Sequence, residues 1–182
     1  MNDTTQNMKK TLLTLIAVLS LAGAALADQT PDHKVLVLKN KDGAAILGYD
    51  AVAYFTDNKP AKGNPKFQSE YEGAKYYFAS AEHKALFDAN PAKYAPAYGG
   101  FCGYAASVGK VRPANPLVWS IVVGQLIVQH TKGADELWQK DVPGNKAKAD
   151  KYWPLLVEAK AGKKHPIDSL LGKSVIDLAK IN

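Results

Sequence analysis

A single cysteine, Cys102, stands in a chain of 182 residues. One cysteine excludes an internal disulfide and a Cys-x-x-Cys pair, so any redox cycle needs a partner thiol or a one-cysteine chemistry. Arginine is equally scarce, with Arg112 alone among the 23 Lys and Arg residues. Bidentate phosphate recognition prefers arginine, and the lysines are scattered among acids rather than clustered with aromatics. The net charge of +6 therefore reads as a solvated basic surface, with no nucleic-acid partner. Long apolar runs are also missing. Thr11 to Leu21 is too short to span a bilayer as a helix, and nothing like it recurs. There is no repeat and no low-complexity tract. What remains, 47% apolar and 22% charged residues, suits one globular domain with a sizeable core.

The N-terminus reads as a targeting segment. Lys9 and Lys10 form a positive region, the apolar run follows, and Ala25-Leu26-Ala27 supplies small residues for cleavage between Ala27 and Asp28. The competing reading is an uncleaved anchor. Cleavage implies an exported, periplasmic or secreted protein with no membrane contact afterwards. The expected organisation is a signal peptide over 1–27, a lead-in over 28–44, a domain over 45–154 and a C-terminal helical extension over 155–182.

Along the chain, Val35 to Leu38 is a short β-like run, and Asn40 to Gly43 is a turn. Ala45 to Phe55 carries β-branched and aromatic residues and predicts loop and strand, with Tyr49 and Tyr54 facing a common interior. Asp50 in this stretch suits a turn in which its carboxylate accepts backbone hydrogen bonds. Lys66 to Tyr71 and Lys75 to Phe78 flank Glu72-Gly73, which predicts a hairpin. Ser80 caps a helix running to about Ala89, with His83, Leu86 and Phe87 along one side. Asn90-Pro91 ends it. Ala92 to Tyr98 is a short turn or second helix. Cys102 to Val108 favours helix, and Gly109 suits its end. Val118 to Val123 and Gln125 to Gln129 read as strands around Gly124. Thr131 to Lys140 is helix-like, Pro143-Gly144 breaks it, and Asn145 to Lys160 is helical with a kink at Pro154. Pro166 to Ile181 places Ile167, Leu170, Leu171, Val175 and Leu178 on one broad face.

The chemistry gathers at Tyr94 to Lys110, where Gly99, Gly100 and Gly103 and four aromatics surround Cys102. As a plain core residue, Cys102 packs as a small hydrophobe. As a site, it opens a helix whose N-terminus would depress its pKa and leave the thiol partly accessible. His83 is a satisfied histidine on its own, and becomes a ligand only beside Cys102. Thiolate plus imidazole suits Cu(I) or Zn(II). His130 and His165 are further ligands by type alone, and His33 reads as exposed. Tyr49, Tyr54, Tyr98 and Tyr104 are core by default, or line a ligand pocket with their hydroxyls inward.

The run Gly48-Tyr49-Asp50-Ala51-Val52-Ala53-Tyr54-Phe55 resembles the opening motif of exported YHS-domain proteins. Tyr77-Phe78-Ala79-Ser80, Phe87, Asn90-Pro91, Lys93-Tyr94, Pro96 and Tyr98 to Cys102 continue the match. So do Trp119, Gly124 to Leu126, Trp138, Asp141, Ala149-Asp150 and Trp153-Pro154, which extends the resemblance over Leu47 to Pro154. Related short modules, associated with metal transport and sensing, carry two cysteines where this chain has Ala79 and His83. The resemblance implies an α+β fold, with small antiparallel sheets or β-hairpins packed on several short helices; the C-terminal helices after Pro154 lie outside it and read as an addition packed on the domain. It also implies cysteine or selenocysteine at the position of Cys102 in exported relatives, which favours a redox or soft-metal role. The expectation is an exported YHS-like binding module rather than a standalone enzyme, with a thiol-centred role for Cys102 and His83. A metal ion, Cu(I) or Zn(II), or a thiol partner would be its ligand. The alternatives are a carrier of a small apolar or aromatic molecule and a purely structural domain.

Overall fold

The computed structural model describes residues 35–161. The expected signal segment with Ala27 and Asp28, as well as His33, His165 and the apolar face expected over 166–181, lie outside the described residues.

The fold is α+β, built on two antiparallel hairpins and a set of helices. In the first hairpin, β1 (Asn64–Tyr71) pairs with β2 (Ala74–Phe78); in the second, β3 (Asn115–Val122) pairs with β4 (Gln125–Gln129). Each turns through two residues of positive φ, Glu72-Gly73 and Val123-Gly124. That backbone twist matches the flanking strands, which is why a glycine stands second in each. Each first strand also carries a register shift, between Asn64 and Gln68 and between Asn115 and Trp119.

Helices α1 (Ala53–Thr56), α2 (Ala81–Ala89), α3 (Pro91–Tyr94), α4 (Gly103–Ser107), α5 (Lys132–Gln139) and α6 (Val142–Lys160) surround the hairpins. Side-chain caps start most of them. Ser80 accepts from the N–H of His83, Asn90 from that of Lys93, Thr131 from that of Ala134 and Asp141 from that of Gly144.

Two segments depart from the sequence expectation. Ala45 to Phe55 holds no strand: a 3-10 turn over Ile46–Gly48 leads into α1. Pro143-Gly144 does not interrupt a helix either. Proline fits the first turn, where its missing N–H has no partner to lose, so α6 starts at Val142.

Among the described residues, three apolar clusters fill the interior. The first holds Tyr54, Tyr76, Phe78, Phe87, Leu126 and Val128 between the hairpins, α1 and α2. The second joins Tyr98, Ala106, Ile127, Trp138 and Ala149. β4 serves both, with Leu126 and Val128 on one face and Ile127 on the other. The third is smaller: Phe101, Val111 and Leu156. No helix among the described residues is long and apolar enough to cross a membrane.

Candidate functional site

Asp50 is wholly buried, yet every polar contact it needs is present. Its Oδ1 accepts from the N–H of Val52 at 2.8 Å and of Ala53 at 3.4 Å, which starts α1. Its Oδ2 accepts from the N–H of Ala79 at 2.7 Å, at the end of β2. The same oxygen lies 2.7 Å from His83 Nδ1 on the first turn of α2. One carboxylate thus ties α1, β2 and α2 together, extending the turn role expected for it.

Three backbone N–H groups point at this carboxylate, so it acts as acceptor and Nδ1 carries the hydrogen. In the neutral ring, Nε2 then presents a lone pair. It lies 3.2 Å from Thr56 Oγ1 and 3.5 Å from Asp57 Oδ1. The Thr56 hydroxyl also lies 2.8 Å from Asp57 Oδ1 and 3.2 Å from Val52 O. One hydroxyl hydrogen therefore faces three acceptors: an imidazole nitrogen, a carboxylate and a carbonyl.

Cys102 is built differently. It caps α4, its Sγ accepting from the N–H of Ala105 at 3.4 Å, and it bridges Val128 of β4. The S–H donates to Gln129 Oε1 at 3.2 Å, and the same oxygen accepts from the N–H of Tyr104 at 3.0 Å. That backbone donor fixes the amide orientation, so the thiol faces an oxygen and stays protonated. Gly103 beside it allows no slack: a Cβ there would sit 2.6 Å from Ile127 Cγ2.

The structure corrects the expectation of a partly accessible thiol with a depressed pKa. Cys102 is 1% exposed. Burial pushes its thiol up, outweighing the N–H groups of Ala105, His130 and Tyr104 that act in the other direction. Desolvation dominates because β4 covers the start of a helix only five residues long.

His83 and Cys102 share no hydrogen-bond partner. Among the described residues, no group of three or more His, Cys, Asp or Glu side chains is placed to hold a metal ion. His130 reaches Cys102 through its backbone N–H, while its ring places Nδ1 against Pro113 O at 2.7 Å.

The four tyrosines divide between two clusters rather than lining one wall. Tyr54 belongs to the first, with Tyr49 packed against it. Tyr54 donates to Pro116 O at 3.1 Å and meets Trp119 edge-on. Burial raises its pKa, helped by Tyr49 and Asp50. Tyr49 carries the Lys62 ammonium 3.8 Å above its ring. Tyr98 belongs to the second cluster, with Tyr104 packed against it. Tyr98 donates to Asp150 Oδ1 at 2.8 Å, and burial and that carboxylate raise its pKa.

Sequence reasoning missed Thr56, Asp57 and Gln129. The two glutamines bracketing the apolar Leu126-Ile127-Val128 were the one available signal, since a polar residue ending a buried strand needs a polar task.

The family model of the YHS domain matches residues 52–98, and the chain carries a YHS domain there. The match takes in α1, the first hairpin, α2 and α3, and with them Thr56, Asp57 and His83. It ends at Tyr98, short of Cys102. No curated protein and no solved structure matches the chain.

Proposed function

We propose that the protein is an exported YHS-domain binding module that takes a metal ion at the outward edge of His83. The observation that supports this reading is the surplus of acceptors around Nε2. Asp50 adds to it, because a ligating histidine nearly always donates its other N–H to a carboxylate or carbonyl that fixes its tautomer. The donors are an imidazole nitrogen and harder oxygens from Asp57 and Thr56, which suits Zn(II) better than Cu(I). With so few protein ligands, water or a partner's side chain fills the other positions, and binding is exchangeable. Cys102 takes no part: its thiol is committed to Gln129.

Competition between the protein and a chromophoric Zn(II) chelator tests the reading. His83→Ala abolishes binding, Asp57→Asn weakens it, and Asp50→Asn weakens it by about 10- to 100-fold, the range for loss of a carboxylate behind a ligating histidine. Cys102→Ser leaves it unchanged. Retained affinity in His83→Ala, or loss in Cys102→Ser, overturns the assignment. Export belongs to the same proposal and rests on Lys9, Lys10, the apolar run and Ala25-Leu26-Ala27. The exported chain then begins at or near Asp28, and one still starting at Met1 refutes it.

A further inference from the structure

The sequence shows no repeat, yet the backbone carries one. β3 begins 51 residues after β1, each at an Asn-Pro pair. Both strands shift register at the matching place, between Asn64 and Gln68 and between Asn115 and Trp119. The turns match at Glu72-Gly73 (φ 50 and 68) and Val123-Gly124 (φ 49 and 73). The caps that follow are Ser80 (φ −146, ψ 168) and Thr131 (φ −146, ψ 167). Phe87 and Trp138 are the fully buried aromatics of α2 and α5. Each helix gives way to a further cap, Asn90 (φ −156, ψ 75) or Asp141 (φ −155, ψ 73). Upstream, Ile46-Leu47-Gly48 and Tyr98-Gly99-Gly100 each run through three positive φ values in succession. The same bulge, turn, cap and break in one order at one spacing mark an internal repeat. Composition hides it, because between 64–94 and 115–145 only Asn64, Pro65, Ser69, Gly73 and Leu86 recur as the same residue.

The repeat also pairs Asp50 with Cys102. Their N–H groups donate to Ala61 O at 2.8 Å and to Arg112 O at 3.0 Å. The Asp50 carboxylate collects the N–H groups of Val52, Ala53 and Ala79. The counterparts Tyr104, Ala105 and His130 turn theirs toward Cys102. The second seat thus offers the donors of the first with no carboxylate to receive them. Gln129 Oε1 stands in, accepting from the S–H and from the Tyr104 N–H. Gln129 is wholly buried, and its Nε2 is left with no acceptor among the described residues. The outward edge of His83 is not repeated: Ala134 replaces His83 and Val108 replaces Asp57. We infer that residues 98–145 are a second copy of the YHS unit, blank at the His83 edge but keeping the seat for a carboxylate, which Cys102 occupies.

Cys102→Asp in the full chain tests this, independently of metal binding. A carboxylate in an ordinary apolar core is driven toward its neutral form, which raises its pKa. One held by several N–H groups has its pKa lowered. In the seat, the variant folds at neutral pH with the near-ultraviolet circular dichroism of the parent. Gln129 turns its amide and donates Nε2 to the new carboxylate. Carbon NMR of that side chain gives a pKa below the ordinary value of about 3.9. The carboxylate's contribution to stability is complete above that value and is lost as pH falls through the lowered one. A pKa above about 3.9 overturns the inference. So does a variant that gains stability relative to the parent as pH falls from neutral to about 5, the behaviour of a carboxylate in an apolar core. A variant unfolded at every pH overturns it as well, since a built seat accepts the residue it was built for.

Discussion

Removing the Asp50 carboxylate should weaken the fold at one definable point. In Asp50→Ala, the N–H groups of Val52 and Ala79, held at 2.8 and 2.7 Å, lose their acceptor, and the longer bond from Ala53 goes too. A buried donor left unpaired costs about 1–3 kcal/mol, so two together cost about 2–6 kcal/mol. That is a large part of the total stability of a domain, about 5–15 kcal/mol. Asp50→Asn separates the contributions. Its amide oxygen still serves Val52, and His83 can change tautomer to accept from the new NH2 group. Only the Ala79 N–H then meets a donor, for a loss of about 1–3 kcal/mol. Urea unfolding of both variants measures the two values, with an unchanged m-value showing that the folded state stays compact. If Asp50→Ala lies within about 0.5 kcal/mol of the parent, the range for ordinary surface changes, the clasp does not hold these elements.

Other consequences concern the second hairpin and its neighbours. Gly103→Ala forces a methyl group against Ile127 and should cost about 1–3 kcal/mol by overpacking; a neutral result in thermal unfolding would mean that β4 gives way easily. Val123 is 88% exposed at φ +49, a backbone that a β-branched side chain adopts only under strain. Val123→Asn should therefore raise stability by about 0.5–1 kcal/mol, and a loss would show that the valine makes a contact of its own. The Cys102 thiol keeps its proton in the folded state at a pH where the unfolded chain loses it. Its contribution is complete below the unfolded pKa of about 8.5 and disappears as pH rises through the raised folded value. Stability should thus fall above about pH 8.5 more steeply in the parent than in Cys102→Ser, and identical pH profiles would remove the thiol from the balance.

Local chemistry explains what the sequence revealed. Glu72-Gly73 and Val123-Gly124 are turn pairs between strand-forming runs, and both hairpins form around them. Ser80 and Thr131 are good caps, and both helices start where they stand. The α+β class follows from these elements. The failures come from distant partners. Ala45 to Phe55 looks extended by composition, but Asp50 bends it into α1 through bonds to Val52 and Ala53 and anchors it to Ala79. Cys102 looked like the accessible start of a helix because Val128 and Gln129, which bury it, come from a strand 26 and 27 residues further on. His83 was visible as a candidate, but its partner Asp50 stands 33 residues earlier.

The central claim is that Asp50 holds the His83 imidazole with Nε2 open to a cation, and nitrogen NMR of that ring tests it most directly. Long-range proton–nitrogen spectra of the neutral protein should show hydrogen on Nδ1 and a bare Nε2. Added Zn(II) should then shift the Nε2 resonance in the parent and in Cys102→Ser alike. A ring protonated at Nε2 instead, or an Nε2 signal that ignores Zn(II) while metal still binds elsewhere, would contradict the account.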